Sequence, residues 1–478
     1  MKLLHFTNCL FCDTIGLRRF YSGSICRSKG AVIMEQFKYY APTKILFGKN
    51  TEAEVGELCK TQGASKVLVH FGGSSAQKSG LLDRVCGALQ KAGLPYVTLG
   101  GVVPNPRLSK VYEGIEICRR EKVDFILAVG GGSVIDSAKA IGYGITNPGD
   151  VWDYYSGKAP QACAPIGAVL TIAAAGSEMS NASVITNEDG WLKRGLQSPY
   201  AYCKFAILNP ELTCTLPAYQ TASGCTDIIV HTLERYFTKP GVTSLALTDS
   251  MAEALLRNVM RNARLALQKP ADYDVRAEIM WAGTLSHNDI TGDRSQGDWA
   301  SHQLEHELGG MFDIAHGAGL AAIWGSWARY VFKQNPCRFA QLAVNVLNVP
   351  YSFGNDGKTA LEGIAAMEDF FPFHWYAYLD QRHGNRTHRH PNQRAGTQMQ
   401  LYGQKNDRRL RHPERCRYGK YLPDGQIKQR LYLLQKLLPS LKHKGQAVKL
   451  LVLCVFLLCR RFFILQIHFI KKHGLDFY

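Results

Sequence analysis

No disulfide or zinc framework is legible in this chain of 478 residues: its fourteen cysteines are scattered, and Cys9-x-x-Cys12, the only close pair, has no second pair to complete a four-ligand site. A reduced, cytoplasmic protein is implied. The C-terminal apolar run from Leu450 to Cys459 gives out after ten residues at Arg460-Arg461, too short to span a bilayer. The dinucleotide fingerprint G-x-G-x-x-G is absent. Acidic residues are scarce only at the two ends. Residues 372 to 478 carry 21 Lys and Arg against 5 Asp and Glu, and residues 1 to 33 carry 5 against 1, which leaves 30 against 33 in between. The formal charge of +17 therefore belongs to the ends. The body is mildly acidic, and its charge implies neither nucleic acid nor a membrane as partner.

Histidine, by contrast, is concentrated. Of the seven histidines before residue 372, five lie between His231 and His316, and only His5 and His70 fall outside. Asp227 and His231 are four apart in the helix-compatible run TASGCTDIIVHTLERYF, so both project from one face. His302 and His306 repeat that spacing in SHQLEHELGGMFDIAHGAG, and His316 follows past Gly309-Gly310. Taken singly, such a pair reads as a solvated face or a core histidine. Together, three imidazoles and one carboxylate suit a divalent metal with one coordination position left open, a catalytic arrangement rather than a closed structural one.

Upstream, short apolar runs alternate with amphipathic segments. Strands are expected at Val67 to Phe71, Tyr96 to Leu99 and Phe125 to Val129, and helices at Gly80 to Ala92 and Leu108 to Arg120. That succession implies a parallel sheet covered by helices. The third strand leads into Gly130-Gly131-Gly132-Ser133-Val134-Ile135-Asp136, where glycines and helix-start amides suit a phosphate. A second turn, Gly72-Gly73-Ser74-Ser75, follows the first strand and would converge on the same sheet edge. It holds no acid to bond a ribose hydroxyl, so NADP(H) is expected over NAD(H). A further apolar run, Val169 to Ile172, precedes the small-residue loop Ala173 to Asn181, suited to close contact with a cofactor. From Pro217 to Tyr330 helical periodicity dominates, placing a substrate cleft between a nucleotide domain and a helical one.

GGGSVIDSAKA, AAGSEMS, NPELT, TASGCTDIIVHTLERY and the His302, His306, His316 pattern together resemble the iron-containing (group III) alcohol dehydrogenases, of the NADPH-dependent butanol dehydrogenase or aldehyde reductase type. The resemblance runs from about Phe37 to about Phe371. It implies an α/β N-terminal dinucleotide-binding domain with a Rossmann-like parallel sheet and an all-α C-terminal metal-binding domain. By position it implies Asp227, His231, His302 and His316 as ligands of one Fe²⁺ or Zn²⁺, with His306 beside the nicotinamide as a proton-relay residue. Cofactor contacts would fall on Gly73, Ser75, Asn105, Gly131, Gly132, Ser133, Asp136, Thr171, Ser180 and Lys193. Ala175 departs from the pattern, which often has Thr before Gly-Ser-Glu. The implied reaction is NADP(H)-linked interconversion of primary alcohols and aldehydes, in an enzyme that commonly forms homo-oligomers such as dimers. A dehydroquinate-synthase-like lyase shares the plan, but its polyanionic substrate calls for Lys and Arg near the ligands, and residues 296 to 320 have none. A truncated, non-catalytic nucleotide-binding product is the third reading.

The ends fit poorly. Residues 1 to 33, with Arg18, Arg19, Arg27 and Lys29, loosely resemble an organellar transit peptide. A true start at Met34 is preferred, with the extension disordered or a mis-called start. After Phe371 the periodicity vanishes and the composition turns basic. Residues 372 to 478 are expected to be a frameshifted, disordered tail, which would leave the helical domain of residues 214 to 371 incomplete beside the nucleotide domain of residues 34 to 213.

Overall fold

The computed structural model describes residues 38–237, 246–292 and 299–383, with side chains up to Phe371 at the last end. The expected start at Met34 and the tail beyond His383 lie outside the described residues.

The N-terminal part alternates strand and helix: β1 (Lys44–Phe47), α1 (Val55–Thr61), β2 (Val67–Phe71), α2 (Ser75–Lys78), α3 (Leu81–Lys91), β3 (Tyr96–Leu99), α4 (Leu108–Glu121), β4 (Phe125–Gly130), α5 (Gly132–Thr146), α6 (Val151–Tyr155), β5 (Ile166–Leu170), then β6 (Ala182–Asn187), β7 (Leu192–Gln197) and β8 (Phe205–Leu208). Among the described residues, six strands form one sheet in the order β1-β8-β5-β4-β2-β3, every neighbouring pair parallel. Such a sheet must be buried on both faces, which is why β2 (VLVHF) and β4 (FILAVG) are apolar almost throughout. Alternate residues feed two cores: Leu68, Ile126 and Ala168 on one face, Val67, Val69 and Leu127 on the other.

Chain order reverses between β2 and β4. From β2 the chain steps outward to β3, then crosses back to β4 on the other side. Such a switch point opens a crevice at the carboxyl ends of the strands, where ligands of open α/β sheets sit. Both glycine turns, Gly72 to Ser75 and Gly130 to Ser133, flank it. β6 and β7 stand apart as an antiparallel hairpin.

The C-terminal part is helical: α7 (Ala218–Tyr236), α8 (Ala246–Gln268), α9 (Tyr273–Ser286), α10 (Ala300–Phe312), α11 (His316–Val331), α12 (Pro336–Asn345) and α13 (Asp356–His383). α7 is its axis, buried from Thr221 to Tyr236. Small residues make that possible: a Cβ on Gly224 would lie 2.3 Å from the Ala173 carbonyl, and one on Gly317 would lie 1.9 Å from the Ser223 carbonyl. No helix among the described residues is long and apolar enough to cross a membrane.

Three expectations change. The fourth apolar strand is Ile166–Leu170, earlier than the run Val169 to Ile172, because pairing with β4 sets its register. Periodicity gave no sign of β1, β6, β7 or β8. And α13 stays helical to His383, past Phe371 and Pro372, where sequence periodicity had ended. Pro372 lacks the amide proton that an interior helical position donates, and the residues after it show no apolar period, so the sequence does not announce this extension.

Candidate metal and dinucleotide site

Helical geometry brings Asp227 and His231 together one turn apart on α7, with His231 Nδ1 3.5 Å from Asp227 Oδ1. His302 in the first turn of α10 and His316 at the start of α11 approach the same oxygen, their Nε2 atoms 3.9 and 3.5 Å away. The donor atoms of Asp227, His231 and His302 all lie within 4.8 Å of one another. Asp227 Oδ1, His231 Nδ1 and His302 Nε2 are buried without a hydrogen-bond partner. Three converging orphaned polar atoms would be costly in a structural core, whereas a divalent cation satisfies all of them. An N/O donor set of this kind fits Fe²⁺ or Zn²⁺. The His316 side chain is 25% exposed against 6% for His231 and His302, so the open side of the site faces it.

Carboxylates fix the rings from behind. His302 Nδ1 donates to Glu234 Oε1 at 3.0 Å, and the same oxygen accepts from the His302 amide and the Ser301 hydroxyl. His316 Nδ1 donates to Glu305 Oε2, which also accepts from Lys193 Nζ at 2.9 Å. Carboxylate-histidine pairs set the tautomer that leaves Nε2 free for a metal. Burial, the largest influence on His302, would lower its pKa, but Asp227 and Glu234 outweigh it and push it up to about 9. Glu305 is held well below the usual carboxylate range: burial would raise it, and His316 and Lys193 prevail. His231 is pushed well below its ordinary value by burial, then by His287 and His302. His306, its ring 5.8 Å from that of His316, is pushed well below its ordinary value by burial and then by Lys193.

Sequence reasoning had no role for Glu234, Glu305, Arg235, His287 or Trp299. Arg235 is buried, pairs with Asp289, donates to the His231 carbonyl and lies over the Trp299 ring. Trp299 sits edge-on to His302 and, with His287, packs against His231. None of these contacts has a local sequence signal except the i,i+4 spacing of His231 and Arg235.

On the sheet side, α5 begins at Gly132 with Gly131 as N-cap and no side chain capping its first amides, which suits a phosphate. A Cβ on Gly132 would meet Ala175 at 3.1 Å, whereas one on Gly73 would meet nothing within 4 Å. Gly73 and Ser75 follow β2, Gly131, Gly132 and Ser133 follow β4, and the Thr171 amide, after β5, donates to the Gly130 carbonyl at 3.0 Å. The other expected contacts have their polar groups engaged within the protein. Asp136 accepts from Ser177 Oγ at 2.6 Å and from the Val184 amide at 3.0 Å. Asn105, in left-handed backbone, donates to Asp313 and to the Ile314 carbonyl. Ser180 accepts from the Ala182 amide, and Lys193 is the buried partner of Glu305.

Two family models match the chain: iron-containing alcohol dehydrogenase over residues 42–210, and the C-terminal region of the Fe-containing alcohol dehydrogenase family over residues 221–372. The chain is 41% identical over 339 residues to a probable NADH-dependent butanol dehydrogenase of Bacillus subtilis, covering 71% of this chain and 87% of that protein. It is 35% identical over 342 residues to the NADPH-dependent aldehyde reductase YqhD of Escherichia coli, covering 71% and 86%. The solved structure of NADH-dependent butanol dehydrogenase A from Thermotoga maritima superposes with a TM-score of 0.69 at 40% identity, covering 71% of this chain and 85% of that one.

Proposed function

The chain belongs to the iron-containing alcohol dehydrogenase family of NAD(P)-linked alcohol oxidoreductases, and on that premise we propose that it reduces primary aldehydes and oxidises the corresponding alcohols at a divalent metal held by Asp227, His231, His302 and His316. The observation that carries this reading is the convergence of three buried, unpartnered donor atoms on α7 and α10. A bound Fe²⁺ or Zn²⁺ supplies Lewis acidity to the substrate oxygen. A bound nicotinamide dinucleotide supplies or accepts the hydride. The chain's own residues do the rest. Glu234 and Glu305 hold His302 and His316 in the ligating tautomer, and Trp299 and His287 wall the site with ring surface. His306, its ring 5.8 Å from that of His316, is the proposed relay for the proton that balances hydride transfer.

NADP(H) is the proposed cofactor and NAD(H) the second reading. The turn after β2 carries no acid, and Lys110 reaches its neighbourhood: the Gly101 amide bonds the Gly72 carbonyl at 2.8 Å, and Lys110 Nζ would lie 3.5 Å from a Cβ on Gly101. Relatives named for NADH and for NADPH both occur, so the measured ratio of kcat/KM for the two cofactors decides. The proposed division is a nucleotide-binding domain over residues 34–213 and a metal-binding domain over residues 214–371. A frameshift near codon 371 is the proposed origin of the basic stretch from 372 to 478, and sequencing the coding DNA across that point tests it. A homodimer is proposed, with sedimentation as its test. The deciding experiment for the reaction is NADPH oxidation with butanal by the full-length chain, reconstituted anaerobically with Fe²⁺ or Zn²⁺ beside His302→Ala. Metal-dependent turnover absent from the variant supports the proposal; equal rates in both overturn it.

A further inference from the structure

Lys139 is a fully buried cation in α5 that the reaction itself does not use. Its ammonium donates to three backbone carbonyls, those of Ser177 at 2.7 Å, Ser180 at 2.9 Å and Ala182 at 2.8 Å, and lies 3.2 Å from Ser177 Oγ. An ammonium has three protons, so this shell is complete. The Ser177 and Ser180 carbonyls belong to the stretch linking β5 to β6, and Ala182 opens β6. One turn earlier on α5, Asp136 holds the same stretch through Ser177 Oγ and the Val184 amide, and places a negative charge near the buried ammonium. Burying a cation is expensive unless it is fully bonded and compensated, and a neutral side chain would fill the space at lower cost.

The stretch so held runs from the phosphate turn to the metal helices. Near one end, Ala175 lies against Gly132. On the other side, Gly176 has φ +63°, and a Cβ there would stand 2.7 Å from the Gly283 carbonyl and 2.8 Å from His287 Cβ. Its Ala173 carbonyl abuts Gly224, one turn before Asp227 on α7, and Glu178 accepts from Thr284 on α9 at 2.8 Å. A dinucleotide with its pyrophosphate on α5 and its reactive ring at the metal has to pass along this stretch.

We propose that Lys139 is a positioning residue: by gathering the Ser177, Ser180 and Ala182 carbonyls it sets the path of residues 173–184 and so aligns the nicotinamide half of the dinucleotide with the metal site. The proposal rests on the family's use of a nicotinamide cofactor.

The test compares NADPH, which has both halves, with the 2′-phosphorylated form of ADP-ribose, which lacks only the nicotinamide. Dissociation constants are measured by fluorescence and calorimetry on the full-length, metal-loaded protein. In Lys139→Met the NADPH constant should rise about tenfold or more while that of the phosphorylated ADP-ribose and the bound metal stay within about threefold of the parent. Ser177→Ala keeps every carbonyl and provides the milder variant should Lys139→Met fail to fold. It should weaken NADPH about threefold and leave the phosphorylated ADP-ribose unchanged. Equal loss of both probes in the folded variants would assign Lys139 a general structural role and overturn the proposal, as would no loss of either. A parent protein that binds neither probe would instead refute the cofactor reading and the proposal with it.

Discussion

Two buried histidines, one in each part of the molecule, show how to separate a structural group from a ligand. His70 in β2 donates from Nδ1 to the Leu99 carbonyl at 3.0 Å and accepts at Nε2 from the Ser137 hydroxyl at 2.9 Å. Both nitrogens are satisfied, and burial, its leading influence, lowers its pKa to about 4. His302 is as buried but has one nitrogen on Glu234 and the other unpartnered toward Asp227, His231 and His316. Its pKa is pushed the opposite way, to about 9, by carboxylates. Burial alone does not distinguish the two. What does is whether the second nitrogen has a partner.

The largest effect should come from breaking the ligand side of this contrast. His302→Ala or Asp227→Asn removes one member of the donor set, and metal-dependent turnover should fall by about 10³-fold or more, with bound metal lost in elemental analysis. On the structural side, His70 should make stability depend on pH. Its folded pKa lies below the ordinary 6.5, so above pH 6.5 both folded and unfolded states are neutral and nothing changes. As the pH falls from 6.5 towards 4, only the unfolded chain takes up the proton, and stability drops by roughly 3 kcal/mol in all. His231, His287 and His306 shift in the same direction and His302 in the opposite one, so the measurement is the difference between parent and His70→Gln in denaturant melts. The variant should show a shallower loss over that window, and identical slopes would refute the assignment.

Glu234→Gln keeps the shape behind His302 but removes the charge, and metal affinity should fall about 10- to 100-fold while the fold is retained. A chelator-competition titration reads this, and unchanged affinity would mean that Glu234 does not tune His302. The smallest effect should come from Ser75→Asp in the exposed turn after β2. The new carboxylate would repel a 2′-phosphate, shifting the kcat/KM ratio about tenfold from NADPH towards NADH. A ratio that does not move would place cofactor choice elsewhere.

Local pattern made much of this molecule readable. β2, β3 and β4 and the helices α3 and α4 lie where alternating and 3.6-residue periodicities put them, within about a residue. Asp227, His231, His302 and His316 stood out because imidazole is rare here and helical spacing is a local property. The short strands KILF and FAIL offered too few residues for a period, and β7 (LKRGLQ) carries Lys193 and Arg194 among its apolar positions. Helix α13 crosses Phe371 into a stretch with no 3.6-residue apolar period, which is why the sequence reads as ending there.

Residue order alone was enough to specify the parallel nucleotide-binding plan, the glycine turns and the residue types able to hold a metal, since each depends on residues near one another in the chain. Folding in three dimensions was needed to establish that Glu234 backs His302 across 68 residues, that Lys193 reaches Glu305 across 112, and that Lys139 gathers carbonyls some 40 positions away. A buried polar group must be satisfied by whatever packing brings to it, and those partners come from elements whose adjacency no local period encodes.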